Sequence, residues 1–303
     1  MRILVTGGAG FIGSNLVKRL ASDGHDTVAA DGFTSATWTN LIDYAGDVLT
    51  CSMFEDITPI HEAGPFDVIF HEASITDTTV MDQRLMMSNN VEAFRKLLNL
   101  AAEWGSRVVW ASSCSIYGQG PVPMKESQEP QPLNVYAFSK LVMERLAMRY
   151  KDKLAHPIVG LRYSNVYGPG EAHKGKFASM IYQLARQMRA GKRPRIFTAG
   201  QQKRDFVYIE DVIQANLRAM SSRTSGSFNA GAGASWSFNE VVAQLNRVLG
   251  TKLAPDYFEN PYSFTQDWTQ TDLTEATRAL GYVPNYDLSK GIDAYMESGK
   301  LGT

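Results

Sequence analysis

The sequence predicts an α/β fold: a doubly wound parallel sheet followed by a smaller, mixed α/β lobe toward the C-terminus. Three observations predict it. Short apolar runs alternate with longer helical periodicities from the first residue to about 165, the pattern of a parallel sheet covered on both faces. A cluster of glycines separates the first apolar run from the first helical stretch. After about residue 165 the alternation loosens, and the segments become shorter and richer in Pro, Tyr and Thr.

The elements follow in order. "RILVT" is a continuous apolar run stopped by glycines, so it reads as a buried strand. "FIGSNLVKRLASDG" carries apolar residues at helical spacing and stops at Gly24. "DTVAAD" is a second strand ending at Asp31, and "DVIFHEA" another over 67–73. A long amphipathic helix is expected over 80–104, bounded by Gly105. "RVVWASS" reads as a strand, 134–150 as a helix and 156–165 as a strand. Beyond these, turn-then-helix patterns are expected in 168–194 and 229–250, and a strand leading into a helix in 204–220. Right-handed crossovers make the first part doubly wound. The expected division is 1–165 with 205–234 as one domain, and 166–204 with 235–303 as the other lobe. No repeat or low-complexity linker separates them.

Bulk properties narrow the function classes. At 303 residues the chain can bury a core without metals or staples. A net charge of −1 gives no basic field for nucleic acid or an anionic membrane. Two cysteines, Cys51 and Cys114, are too few for a disulfide scaffold and suit a reducing compartment. No apolar run approaches the ~20 residues of a membrane span, and "MRILVTGG" lacks the form of a signal peptide. A cytoplasmic protein is expected. His61, His71, His156 and His173 show no metal-ligand spacing, so no metal is expected.

"VTGGAGFIGSN" sets Gly7, Gly10 and Gly13, with Phe11 and Ile12, between strand and helix. Such a turn needs one glycine to bend, one to admit a pyrophosphate and one to pack helix against strand. The phosphates then meet free N–H groups at the helix N-terminus. The context is that of a Rossmann dinucleotide site. Asp31 lies 18 positions after Gly13, where a carboxylate meets the adenosine ribose hydroxyls. It would repel a 2′-phosphate, and no Lys or Arg occurs from 32 to 83. NAD is therefore expected over NADP. Asp47 and Val48 are expected near the adenine.

"YAFSK" places Tyr136 and Lys140 four apart, on one helix face. A nearby ammonium favours the phenolate, which can then accept a proton from a sugar hydroxyl while hydride leaves for a nicotinamide. Ser113, at the end of "RVVWASS", can hydrogen-bond the same hydroxyl. With 13 tyrosines, the Tyr-x-x-x-Lys spacing recurs by chance, and "YDLSK" at Tyr286 and Lys290 repeats it. That repeat has no Ser-bearing strand before it.

Together the glycine loop, Ser113 and Tyr136/Lys140 resemble the extended short-chain dehydrogenase/reductase superfamily, specifically its nucleotide-sugar epimerases, over essentially the whole chain. "RYSNVYGPG" and "RDFVYIEDV" are similar to later signatures of that group. Within it, "FHEASITDTT", "MMSNN", "PLNVYAFSK", "NVYGPGEAHKG" and "KRDFVY" most resemble the ADP-glycero-manno-heptose 6-epimerases. The resemblance implies Tyr136 as acid/base, Lys140 on the nicotinamide ribose, Ser113 orienting the hydroxyl, and Lys174 of "HKG" as a second acid/base across the sugar. It implies substrate contacts from Ser74, Asn165, His173, Lys174, Phe197 and Arg204, with a nucleotide diphosphate sugar as partner. Phe197 would stack on the base and Arg204 would grip the diphosphate. It also implies a homo-oligomer, through the helices at 80–104 and 135–150. Two departures stand out. The lysines that suit NADP are missing after the second strand, and Phe264, Thr265 and Gln266 stand where an Arg is expected. A UDP-hexose 4-epimerase, needing Ser113 and Tyr136 but not Lys174, stays open. So does an epimerase/reductase using Cys114, and, more remotely, a non-catalytic NAD-binding module. Cys114 and Ser115 replace the Asp-Glu pair of the dehydratases, which argues against loss of water.

Overall fold

The structure is a computed structural model that describes residues 1–259 and 266–303. In chain order the first half contains β1 (Arg2–Thr6), α1 (Phe11–Ser22), β2 (Asp26–Asp31), β3 (Asp47–Thr50), α2 (Thr58–Ala63) and β4 (Val68–His71). It continues with α3 (Gln83–Met87), α4 (Ala93–Trp104), β5 (Arg107–Ser113), α5 (Val135–Tyr150) and β6 (Ile158–Tyr163). The second half contains β7 (Asn165–Tyr167), α6 (Met180–Arg189), β8 (Arg195–Phe197), β9 (Lys203–Arg204), β10 (Phe206–Tyr208) and α7 (Ile209–Met220). It closes with β11 (Gly226–Ala230), β12 (Trp236–Ser237), α8 (Phe238–Leu249), β13 (Asp256–Phe258), α9 (Thr274–Leu280) and α10 (Leu288–Glu297).

Seven parallel strands form the main sheet in the order β11-β6-β5-β4-β1-β2-β3. The period of two along each strand builds a core on each face. Ile3 and Val5 point into one core with Leu16 and Val17 of α1 and Val212 and Ile213 of α7. Leu4 points into the other, with Phe94 and Leu97 of α4 and Met143 and Leu146 of α5. This is why β1 is apolar at successive positions. The first core continues into Ile181 and Leu184 of α6, Val241 and Leu245 of α8 and Ile292 of α10. The C-terminal lobe therefore packs directly on the sheet. Among the described residues, three two-stranded pairs, β10-β7, β12-β9 and β13-β8, follow β6. The chain reverses direction across the sheet between β1 and β4, and their C-terminal ends open the crevice where such folds bind ligands.

Some local features differ from the sequence reading. The helix expected over 80–104 is interrupted by a π-helical turn at Ser88–Glu92. Asn90 in that turn is fully buried; its side chain accepts from Ile75 N–H (2.8 Å) and donates to Ser139 Oγ (3.0 Å). A widened turn lets this one polar side chain face the loop after β4, a common reason for such turns. The strand expected over 156–165 stops at Tyr163; Ser164 turns aside, its Oγ donating to the Asp205 carbonyl (2.7 Å), and β7 starts a separate pair. β3 and β11 carry too little apolar periodicity to be read as strands in isolation. Tyr286 precedes α10, whose N-cap is Asp287, so Tyr286 and Lys290 do not share a helix face; Tyr286 packs on Tyr208, with ring centroids 4.8 Å apart. Among the described residues, no helix is long and apolar enough to cross a membrane.

Candidate active site

The glycine turn closes against the end of β4. Gly7 has φ +69°, and a Cβ there would lie 2.7 Å from the Ala73 amide nitrogen. A Cβ on Gly13 would lie 2.1 Å from the Gly7 carbonyl oxygen. Gly10 donates its N–H to that carbonyl (3.0 Å) and is the N-cap of α1, where no side chain caps the helix. Phe11 is buried and Ile12 half-buried. The Asp31 carboxylate, at the end of β2, accepts from Ala9 N–H (3.0 Å) and Phe33 N–H (2.8 Å). It both braces the turn and faces it with negative charge. Asp47 and Val48 are exposed on the neighbouring β3. A cradle that any Cβ would fill, an uncapped helix end and a carboxylate with no basic residue from 32 to 83 suit a dinucleotide with a free 2′-hydroxyl.

Ser113 is the last residue of β5, and its Oγ accepts from Ser115 N–H (3.1 Å). Tyr136 lies in the first turn of α5, a helix started by Asn134, whose side chain accepts from Ala137 N–H (2.8 Å). The Tyr136 hydroxyl hydrogen-bonds Ser113. Burial raises the Tyr136 phenol above its ordinary range, and the Ser113 bond pulls it back. Lys140, one turn on, is 1% exposed. Its Nζ donates to Ser74 Oγ (2.6 Å) and the Ala111 carbonyl (2.7 Å), and lies 5.8 Å from the Tyr136 ring centroid. Burial lowers Lys140 to about 8, against the attraction of Glu72. β4, β5 and α5 thus bring Ser74, Ser113, Tyr136 and Lys140 together.

Lys174 comes from the Ala172–Phe177 turn, where Gly175 at φ 54° bends the chain. Its Nζ lies 5.7 Å from the Phe11 ring centroid, beside the glycine turn. Burial lowers Lys174, and Glu171 opposes the shift. Glu171 is fully buried and pins this segment: it accepts from Gly168 N–H (3.1 Å) and from Ser179 Oγ (2.9 Å). His173 Nδ1 donates to the Gly170 carbonyl (2.9 Å). Asn40 donates to that same carbonyl and to the Ala9 carbonyl, each at 3.1 Å, which ties the segment to the glycine turn.

The other expected contacts lie beyond β6. Asn165 donates to the Asp205 carbonyl (3.1 Å). Phe197 packs edge-on against Phe258, centroids 4.9 Å apart. Arg204 lies over Phe238 at 5.8 Å and donates to the Lys203 carbonyl (2.9 Å); burial lowers it to about 10. Phe264 and Thr265 lie outside the described residues, while Gln266 donates to the Gly118 carbonyl. The Cys114 thiol is buried, hydrogen-bonds the Arg162 carbonyl (3.2 Å) and is pushed well up by burial, so it stays a thiol. His71 donates or accepts at Thr6 Oγ1 (2.8 Å) and stacks on Phe94 of α4, ring centroids 5.1 Å apart.

Two acidic residues escaped the sequence reading. Glu72 follows His71, and its carboxylate accepts from the Tyr163 hydroxyl (2.9 Å). Asp205 is fully buried and accepts from Ala232 N–H (2.7 Å), Gly233 N–H (3.3 Å), and Thr271 N–H (2.9 Å) and Oγ1 (2.6 Å). Its place in "KRDFVY", directly before the apolar run Phe206–Tyr208, was the available signal.

A family model described as "NAD dependent epimerase/dehydratase family" matches residues 3–231. The solved structure of ADP-L-glycero-D-manno-heptose-6-epimerase from Helicobacter pylori is 39% identical, covers 98% of this chain and 95% of its own, and superposes with a TM-score of 0.92. UDP-glucose 4-epimerase from Thermotoga maritima, solved with UDP-glucose, is 27% identical over 99% of both chains, TM-score 0.92. UDP-glucuronic acid 4-epimerase from Bacillus cereus, solved with UDP-glucuronic acid and NAD, is 27% identical over 98% of both chains, TM-score 0.86.

Proposed function

The chain belongs to the NAD-dependent epimerase/dehydratase family and is a nucleotide-sugar epimerase that works with NAD; within that class we propose that it inverts C6 of an ADP-glycero-manno-heptose. The observation that carries this reading is Lys174. It is not a fully solvated surface lysine but a partly buried one, held by a Glu171-anchored turn over Phe11. Identity of 39% to a heptose 6-epimerase over nearly the whole chain supports the same choice.

Bound NAD supplies a reversible hydride acceptor. The chain's own groups do the rest. Ser113 orients the carbinol hydroxyl, and Tyr136 takes its proton. The Lys140 ammonium favours the phenolate form of Tyr136. Lys174 serves as the proton donor and acceptor for the opposite face, and its burial moves it toward the range where it can exchange a proton. Gly7, Gly10, Phe11, Ile12 and Gly13 hold the pyrophosphate, Asp31 the adenosine ribose, Asp47 and Val48 the adenine, and Tyr136 and Lys140 the nicotinamide ribose. Ser74, Asn165 and His173 line the sugar side, Phe197 stacks on the substrate base and Arg204 meets the diphosphate.

The same reading assigns 1–165 and 205–234 to the NAD domain and 166–204 and 235–303 to the sugar-binding lobe. The placement of β11 beside β6 supports that division. We assign the protein to the cytoplasm as a homo-oligomer. Leu85 of α3 and Phe138 and Met148 of α5 are exposed by 43%, 44% and 43%, which suits burial against a second copy. Light scattering on the purified protein tests the assembly.

The activity test incubates the protein separately with ADP-glycero-manno-heptose and UDP-galactose and follows the sugar protons by NMR. Inversion at C6 of the heptose, crippled by Lys174→Met, is expected. Inversion at C4 of the hexose with Lys174→Met unimpaired would establish the 4-epimerase instead.

A further inference from the structure

We propose that Asn15 and Asn40 are positioning residues for the reaction: their side-chain amides form a two-point clasp that fixes the turn carrying Lys174 to the glycine turn, and so set where the Lys174 ammonium stands. The inference deepens the epimerase reading and rests on it for its kinetic part.

The two sides of the clasp present the same kind of group. On the glycine turn these are the Ala9 and Phe11 carbonyls, and on the segment leading to Lys174 the Pro169 and Gly170 carbonyls. Carbonyls only accept, so these groups cannot hydrogen-bond one another. An amide NH2 has two hydrogens and can serve one acceptor on each side. Asn15 Nδ2 donates to the Phe11 carbonyl (2.8 Å) and to the Pro169 carbonyl (2.9 Å). Asn40 Nδ2 donates to the Ala9 and Gly170 carbonyls, each at 3.1 Å. Each bridge therefore uses both amide hydrogens and joins one carbonyl of the glycine turn to one of 169–170. His173 Nδ1, 3.2 Å from Asn40 Nδ2, gives its own hydrogen to the Gly170 carbonyl.

The asparagines are themselves held. Asn15 belongs to α1. Asn40 belongs to the short 3₁₀ turn Trp38–Leu41, whose Leu41 is buried in the same core as Leu16 of α1. The segment opposite passes them closely. Gly170 has φ +99°, and a Cβ there would lie 3.2 Å from Asn15 Nδ2. The next residue, Glu171, is fully buried, and its carbonyl accepts from Lys174 N–H (3.0 Å). Lys174 Nζ then stands 5.7 Å from the ring centroid of Phe11, the residue whose carbonyl Asn15 holds. The Glu171 carboxylate ties this segment to its own neighbours, Gly168 and Ser179. The asparagines tie it to the glycine turn. A proton-transfer group must stand within hydrogen-bond reach of its target, so the clasp acts on the chemistry through the place of Lys174.

The test uses Asn40→Ala and Asn15→Ala, each of which deletes one bridge, in the protein with bound NAD. The first measurement is backbone hydrogen exchange at Lys174 and Ala178, whose N–H groups bond the Glu171 and Gly175 carbonyls within the turn. Exchange is expected to quicken roughly five-fold or more in each variant, the loosening that lost hydrogen bonds bring, while amides of the central sheet keep their protection. The second is kcat and KM for the epimerised sugar, in the parent protein and in Lys174→Met. In the parent, kcat should fall by up to about 100-fold, the cost of an acid/base group displaced by about 1 Å, with KM nearly unchanged. In Lys174→Met the same substitutions should cost nothing further, because the residue they position is gone. A merely structural role would lower kcat alike in both backgrounds, and that result overturns the proposal. Unchanged exchange in both variants overturns it too. Quickened exchange in a protein that inverts C4 of a hexose, with Lys174→Met harmless, upholds the clasp and refutes the 6-epimerase reading.

Discussion

Replacing Lys140 with Met removes one charge from the site at nearly constant volume. The Lys140 Nζ lies 5.8 Å from the Tyr136 ring centroid. With the centroid taken as the seat of phenolate charge and an effective dielectric of about 20, the attraction is about 2.9 kcal/mol. That corresponds to about two pKa units on Tyr136, or a roughly 100-fold smaller phenolate fraction at any pH below its titration. Lys140→Met should therefore lower the rate about 100-fold below about pH 8 and by less above it, where the parent's Lys140 is itself neutral. The assay is the sugar-proton NMR exchange rate across pH 5 to 10, with NAD occupancy measured separately at each point. A uniform loss across that range would refute the electrostatic argument and leave Lys140 as a cofactor-binding residue only. In the parent protein the alkaline limb should fall as pH rises through about 8, where Lys140 becomes neutral.

Tyr136→Phe should reduce turnover by roughly 100- to 10,000-fold, the usual contribution of a general acid/base, with the melting curve followed by circular dichroism nearly unchanged. Gly13→Ala should abolish NAD binding by calorimetry, because the added Cβ collides with the Gly7 carbonyl; normal affinity would remove the turn from the cofactor site. Asp31→Ala should weaken the preference for NAD over NADP, and an unchanged ratio would take Asp31 out of the ribose contact. Asp205→Ala should cost about 3–5 kcal/mol in urea unfolding, since it strands two buried donors of Thr271 and two part-buried ones at 232–233.

What the sequence determined by itself was the part written in local pattern. The β1-glycine-α1 unit is legible because chain geometry demands glycine wherever backbone meets backbone, and Gly7 and Gly13 do so. Tyr136 and Lys140 are legible because a four-residue spacing on a helix is a spatial contact. Tertiary structure decided what no local period encodes. The spacing at Tyr286 and Lys290 looks equivalent in sequence, yet Asp287 starts the helix between them and denies them a common face. β3 and β11 became strands through pairing with β2 and β6, not through their own composition. Glu72 reads as one more acidic residue until the sheet brings the Tyr163 hydroxyl of β6 to its carboxylate. A charge acts through distance and burial, and both are properties of the folded chain alone.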